Sequence, residues 1–503
     1  MKKLSKIFYV FIIDSKIFET MKMPYFLTNC ILITWFSILN SCAREVDPPQ
    51  AVLPVPTERQ MAWHELEQYA FICFGLNTFT DKEWGYGDES PSLLHPVELD
   101  ARQWAKTVKA AGLKGIMLVC KHHDGFCLWP SQYTEYSVKN SPFRDGKGDI
   151  VKEVSDACHE YGIKFGVYLS PWDRNHAQWG SPEYLIYYRN QLRELLTNYG
   201  EVFMVWFDGA HGGDGFFGGA RENRIIDVQT YYEWPKIFAL CRELAPMAAL
   251  RRLGPDVRWC GNERGFVGDP NWNLLNVDDA LWREGSIERF NHGDENGASW
   301  LPAEVDVSIR PGWFYHAHED DKVRTPENLL KIYLESVGRG AVLNLNIPPD
   351  RRGLLHENDV KSLMEWKNLL DRTFSVNLAA RAKAKADSYR GKSKMYAAAN
   401  VTDGNRETYW ATDDSVTGGT LEIDLGKTQK VNYVVIREYV KLGQRVKDFN
   451  VEAWIDNTWK QIAKGTTIGY KRILQIDPVE TRKIRINIVD AKACPLISTV
   501  EAF

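Results

Sequence analysis

Asp208 stands at the end of an apolar run, residues 202–207, and is followed by Gly209. A carboxylate that leaves a hydrophobic strand at its end can be held rigidly at the mouth of a cleft. There it suits glycoside hydrolysis, which needs one carboxylate at the anomeric carbon and a carboxylic acid to protonate the leaving oxygen. An Asp after a strand equally suits a helix N-cap, and spacing alone leaves the two readings level. His122 and His123 follow a second apolar run, 115–120, in Lys121-His122-His123-Asp124-Gly125-Phe126. Side chains alternate along a strand, so adjacent histidines cannot both face a core. At a strand–loop junction both reach a cleft as neutral hydrogen-bonding groups, the alternative being loop histidines of no consequence. Metal binding is disfavoured, because no carboxylate or third histidine follows at ligand spacing. Tyr168, ahead of Ser170-Pro171-Trp172-Asp173, ends a third run, 165–169. Three consecutive strand ends thus carry polar and aromatic groups, a repetition that packing alone does not supply.

The elements that must position these residues alternate. Strands are predicted at 71–76, 115–120, 165–169, 202–207, 257–260 and 341–345, and helices at 99–111, 150–161, 182–199, 232–244 and 358–370. Strand–helix alternation at this spacing implies parallel strands joined by right-handed crossovers. The expected fold class is α/β, an irregular (β/α)8-like barrel over residues 54–374, since eight clean strands cannot be counted. A doubly wound open sheet is the alternative; polar residues crowding the strand ends favour the barrel. A basic, Ala-rich linker, 375–388, follows. From 389 to 503 the period becomes two, with alternating runs at 420–425, 431–436, 449–454 and 484–488, which reads as an all-β sandwich.

The chain has 503 residues, 44% hydrophobic and 25% charged, the composition of a globular protein with a large core. A net charge of −4 offers no footprint for nucleic acid. Residues 24–39 are mostly apolar, follow Lys22, and lead into Leu39-Asn40-Ser41-Cys42. Residues 1–42 therefore read as a signal segment that resembles a lipoprotein signal, with Cys42 lipidated. The expectation is export to the periplasm or outer membrane of a Gram-negative bacterium, with membrane contact only through that anchor. The cysteines beyond it are scattered, with neither metal-ligand spacing nor a disulfide framework, and are expected as buried thiols.

A resemblance adds to this reading. The segment from Phe71 through Gly75-Leu76-Asn77-Thr78-Phe79-Thr80-Asp81-Lys82-Glu83-Trp84-Gly85, then Lys121 to Phe126, Trp206 to Gly209, Gly261-Asn262-Glu263 and Ser308 to His316 resemble glycoside hydrolase family 29. Within that family the likeness is to the branch acting on α-1,3/1,4-linked L-fucose in branched oligosaccharides. The resemblance implies a retaining α-L-fucosidase with Asp208 as nucleophile and Glu263 as acid/base, Glu304 being the reserve for the latter. It implies fucose-pocket roles for Glu83, Trp84, His122, His123, Tyr168 and Trp206, with the sugar hydroxyls on Glu83 and the two histidines, and an acceptor-side role for Trp313. Its implied partner is a fucosylated oligosaccharide or glycoconjugate, and no cofactor is implied for catalysis. The segments 399–404, 409–410 and 421–426 resemble the discoidin, or coagulation-factor type C, fold. A structural Ca²⁺ in that domain has no ligand motif to support it.

Two departures stand out. The family usually has Phe-Ile-His-Phe-Gly where this chain reads Phe71-Ile72-Cys73-Phe74-Gly75, and a thiol is a poorer hydrogen-bond partner than imidazole. Arg264 stands where a small residue is expected. Two rival readings therefore remain beside the fucosidase: an α-L-galactosidase on the same scaffold, and a non-catalytic carbohydrate-binding lipoprotein.

Overall fold

A computed structural model describes residues 46–252, 254–278 and 287–503. Cys42 and the rest of the expected signal segment lie outside the described residues. Eight parallel strands form the first sheet: β1 (Gln68–Ile72), β2 (Gly115–Lys121), β3 (Lys164–Leu169), β4 (Met204–Trp206), β5 (Ala249–Arg251), β6 (Arg258–Trp259), β7 (Ala303–Ser308) and β8 (Val342–Asn346). Their order is β5-β4-β3-β2-β1-β8-β7-β6, so neighbours in sequence are neighbours in space. The seam between β5 and β6 is joined by a single parallel bridge, Arg251 to Val257. The sheet is therefore a nearly closed (β/α)8-type barrel, irregular where β5 passes to β6 with no helix between them.

Local chemistry explains the helices around it. Asp100 caps α1 (Ala101–Ala110) by accepting from the Arg102 N–H, and Asp149 caps α2 (Ile150–Tyr161) by accepting from the Lys152 N–H. Gly162, at φ +65°, ends α2 in the left-handed conformation that glycine adopts freely. Pro182 opens α3 (Pro182–Asn198) and Pro326 opens α4 (Pro326–Glu335), both where no amide hydrogen is needed.

Two of the eight strands escape the sequence pattern, and β1 sits earlier than 71–76. The chain after β1 turns into a short helix, Leu76–Thr80, instead of continuing the strand. β5 has only three residues. β7 alternates Ala303, Val305 and Val307, which join the core under the helices, with Glu304 and Asp306, which are buried on the opposite face. Charges inside a strand hide it from a hydrophobic scan. The barrel interior is otherwise filled by Tyr69, Phe71, Met117, Val119, Met204 and Trp206, with Trp63 packed among them.

The second sheet is antiparallel. It comprises β9 (Lys383–Ala386), β10 (Trp410–Ala411), β11 (Gly419–Glu438), β12 (Val446–Ile455), β13 (Thr458–Gly465), β14 (Arg472–Ala491) and β15 (Leu496–Ala502). β9 falls within the segment expected as linker and pairs with β11, so that stretch is partly sheet. Alternate residues of the long strands, among them Leu421, Ile423, Phe449, Val451, Ile484 and Ile486, build its own core. Among the described residues all seven cysteines are buried and unbridged, and no helix is long and apolar enough to cross a membrane.

The β domain is fixed to the barrel through charge. Glu67, just before β1, accepts from Arg437 and from Lys471, each at 2.8 Å. Burial alone would push the Glu67 carboxyl up, yet the two cations outweigh it and hold it well below the usual carboxylate range. Its stabilising contribution is thus complete above the ordinary value of 4.5 and is lost only as pH falls toward the depressed one. Glu67→Gln strands two largely buried cations and should cost about 3 kcal/mol at neutral pH. Calorimetry should show a lowered unfolding temperature whose gap to wild type narrows below about pH 4; an unchanged gap across pH would refute the pairing.

Candidate active site

A cleft of about 340 Å³ opens at the C-terminal ends of the barrel strands. Asp208, Glu263, Glu83, Trp84, His122, His123, Tyr168, Trp206 and Trp313 all line it, so the fold brings these residues, singled out in the sequence, together. Cys73 lines it too.

Asp208 follows β4, whose alternation sends Phe207 into the outer core and turns Asp208 back toward the barrel axis. No helix begins after it: the chain enters a hairpin, Gly213–Gly215 against Glu222–Arg224. The N-cap reading therefore fails. The Tyr168 hydroxyl donates to Asp208 Oδ2 at 2.9 Å and the Ala210 N–H to Oδ1 at 2.7 Å. Both oxygens are thus held and the carboxylate has a fixed orientation.

A β-bulge explains how two adjacent histidines face one cleft. The β2–β3 register shifts between Val119 and Lys121, and such a shift re-aims the following side chains. Lys121 then points outward, where its Nζ lies 3.1 Å from Asp173 Oδ2 and donates to Gln191 at 2.9 Å in a fully buried site. His122 and His123 turn inward, their ring centroids 4.1 Å apart. Gly125, at φ +84°, is obligatory in this turn, because a Cβ there would lie 2.3 Å from Asp173 Oδ1.

Both histidines are neutral. Burial pushes the His123 pKa down to about 3, with help from His211 and Arg174, and burial together with His123 drives that of His122 well below its usual value. Their hydrogen bonds assign the tautomers. Ser170 Oγ donates to the Trp172 carbonyl at 2.6 Å and so accepts from His123 Nδ1 at 2.8 Å. His123 Nε2 is then an acceptor, 3.9 Å from Asp208 Oδ2. Asn77 Nδ2 donates to His122 Nδ1 at 3.4 Å, which leaves the His122 Nε2–H as a donor. One ring accepts and its neighbour donates, the complement of adjacent hydroxyls.

Glu83 is more occupied than expected. Its oxygens accept from the Trp313 N–H at 2.9 Å, the Phe314 N–H at 3.2 Å and His316 Nε2 at 2.7 Å. Its chief visible work is to hold the 313–316 loop, with its remaining lone pairs toward the cleft. Trp313 in turn donates from Nε1 to Glu263 Oε2 at 3.0 Å. Glu263 is exposed on the far wall from β1, and Arg264 beside it lies over the Phe266 ring. Trp84 is half exposed, edge-on to His123 and Trp172, and is not core. Arg174 holds the Trp84 loop by donating to the Gly85 carbonyl at 2.6 Å. Trp206 is buried and stacks on Tyr168.

Glu304, the reserve acid/base, is not at the cleft. It lies fully buried in β7, accepting from Tyr69 and from Trp206 Nε1. Arg251, Trp259 and Asp306 are among the lining residues that the sequence did not single out. Asp306 Oδ1 accepts from Trp259 Nε1 at 2.8 Å, and Oδ2 lies 3.5 Å from Arg251 Nη2. Burial pushes the Asp306 carboxyl up to about 8; Arg251 opposes this, while Glu304 and Glu263 add to it. The alternation Ala-Glu-Val-Asp-Val-Ser is the signal that would have found it.

Comparison with known proteins agrees with the geometry. Residues 51–373 match the family model described as alpha-L-fucosidase, and residues 383–500 the F5/8 type C domain. Alpha-L-fucosidase 1 of Arabidopsis thaliana is 40% identical over 474 residues, covering 93% of this chain and 91% of the relative. A glycoside hydrolase 29 family member from an unknown rumen bacterium superposes with a TM-score of 0.80 at 45% identity, over 91% of this chain and 78% of that one. A Ruminococcus gnavus GH29 fucosidase solved in complex with fucose gives 0.82 at 33% identity, over 92% and 97%.

A raised carboxyl pKa means that the folded state holds a proton the unfolded chain has released, so stability falls as pH rises from about 4 to 8. Asp306→Asn removes that slope. The stability of the variant relative to wild type, from urea unfolding, should therefore increase between pH 5 and pH 8 by on the order of 2 kcal/mol. A constant difference would show that Asp306 is ionised throughout.

Proposed function

The chain belongs to the α-L-fucosidases of glycoside hydrolase family 29, with an F5/8 type C domain behind the barrel, and from that premise we propose that it is a retaining enzyme. Its substrate is terminal α-1,3/1,4-linked L-fucose on branched oligosaccharides or glycoconjugates. The observation that carries the proposal is Asp208, fixed by Tyr168 and Ala210 in the same cleft as Glu263.

In the first step an Asp208 oxygen forms a bond to the anomeric carbon as the glycosidic C–O bond breaks, and Glu263 gives its proton to the leaving oxygen. In the second, Glu263 takes a proton from water, whose oxygen displaces Asp208 and releases fucose with its starting configuration. The Tyr168 hydroxyl bond weakens as Asp208 loses charge and re-forms on hydrolysis. The donor His122 and acceptor His123 receive sugar hydroxyls, and the Phe71 and Trp206 rings offer apolar surface to the C5 methyl. Trp313 keeps Glu263 at the acceptor side. Export with a lipid on Cys42 belongs to the same proposal, supported by the apolar run ending in Leu39-Asn40-Ser41-Cys42.

Asp208→Ala should lower kcat by at least about 10³-fold. Added azide should restore turnover through a fucosyl azide of inverted configuration, which only a displaced nucleophile explains. Proton NMR of the wild-type reaction should show α-L-fucose forming first, and product analysis should favour α-1,3/1,4- over α-1,2- and α-1,6-linked substrates. First-formed β-L-fucose, or wild-type turnover by the Asp208 variant, would overturn the mechanism.

A further inference from the structure

Beside the cleft, two loops assemble ligands that the reaction above does not use. Asp81 ends the short helix after β1 in a left-handed conformation, at φ +58°. His316 and His318 lie on the loop after β7. The ligand-capable atoms of Asp81, His316 and His318 all fall within 4.8 Å of one another. His316 is buried, whereas Asp81 and His318 are exposed.

We propose that Asp81, His316 and His318 form a binding site for a zinc-like divalent transition-metal ion, one carboxylate oxygen and two imidazole nitrogens leaving the fourth position to water. Imidazole and carboxylate are ligands that suit such an ion. Bonds of about 2.0–2.2 Å need ligand atoms closer together than the observed spread, which rotation of the two exposed side chains supplies. His316 also has a second partner. Its Nδ1 is 2.7 Å from Asp81 Oδ1 and its Nε2 2.7 Å from Glu83 Oε1. A histidine that donates one ring N–H to a carboxylate while the other nitrogen faces a cluster of ligands has the arrangement by which metal-binding histidines are oriented. Binding replaces the contact between His316 and Asp81 by coordinate bonds from Nδ1 and from Asp81, any proton displaced passing to solvent. Arg351 acts electrostatically on Asp81 and opposes a dication, which makes the site exchangeable rather than permanently filled.

A simple clamp between two loops needs only Asp81, His316 and Glu83. His318 adds nothing to it, and so separates the two readings. Glu83 also holds the Trp313 and Phe314 amides, so an ion at this site stiffens the wall of the cleft through one imidazole while leaving the reacting groups untouched.

The test is calorimetric titration of the chelator-treated full chain with Zn²⁺, paralleled by Co²⁺ absorption spectra. Wild type should bind one ion at this site, show a visible Co²⁺ band and gain thermal stability with added Zn²⁺. His318→Ala should bind at least roughly tenfold more weakly, lose the band, and release fucose at the wild-type rate in chelator. Asp81→Asn should also lose the band. Absence of saturable binding, or an isotherm unchanged by His318→Ala (uptake at another histidine such as His292), would overturn the proposal. Neither result bears on the fucosidase assignment.

Discussion

Arg251 is the residue on which the arrangement of the cleft depends. Its guanidinium lies 3.7 Å from the Trp206 ring centroid and reaches both buried carboxyls of β7, Glu304 and Asp306, at 3.5 Å. Two carboxyls inside a barrel are tolerable only with a cation between them. That cation comes from the last residue of β5, which also makes the single bridge closing the barrel to β6. Closure, charge balance and the position of Trp206 are thus one constraint. Trp206 is bonded below by Glu304 and stacked beside Tyr168, and Tyr168 holds Asp208. The chain of contacts thus runs from the seam to Asp208.

Charge in the cleft is sparing for the same reason. Burial keeps His122 and His123 neutral, so they add no positive charge beside Asp208. Of the cations nearby, Arg251, Arg174 and Lys121 are each engaged with carboxyl or carbonyl groups of the scaffold, and Arg252, which interacts electrostatically with Asp208, donates to His211 and lies over the Trp234 ring. The attack proposed for Asp208 favours hydrogen bonds and no close salt bridge, since a paired anion is a weaker nucleophile. Asp208 has this setting, with a phenol, an amide and a neutral imidazole around it.

Much of this was legible in the sequence wherever a hydrophobic run ended in polar residues. The 202–207, 115–120 and 165–169 runs fall on β4, β2 and β3, and the residues after them reach the cleft. Where strands carry charge or are very short, the pattern fails: β7 has Glu304 and Asp306 inside it, and β5 has only three residues. The lost strands took Arg251 and Asp306 with them, and Glu304 stood as the reserve acid/base because its strand was unseen. The histidine pair required a bulge, which no periodicity reveals, since it is a register shift against a partner strand. Glu83 was correctly drawn to the cleft, but its bonds to the 313–316 loop depend on a contact across more than 200 residues.

The β domain meets the barrel at the end away from the chemistry. Glu67 precedes β1, whereas Cys73 and Glu83 follow it; Gly338, whose carbonyl accepts from the Ile473 N–H, precedes β8. The backbone amides of Asn271 and Asn273, between β6 and β7, donate to Thr467 Oγ1 and Gln444 Oε1. These joints brace the N-terminal ends of β1 and β8 and the base of the segment leading into β7. The cleft loops at the opposite end remain free of the β domain in every one of these contacts. Through these joints the β domain contacts the barrel ahead of β1 and β8 and in the segment leading into β7, on the side away from the strand ends that carry Asp208 and the cleft.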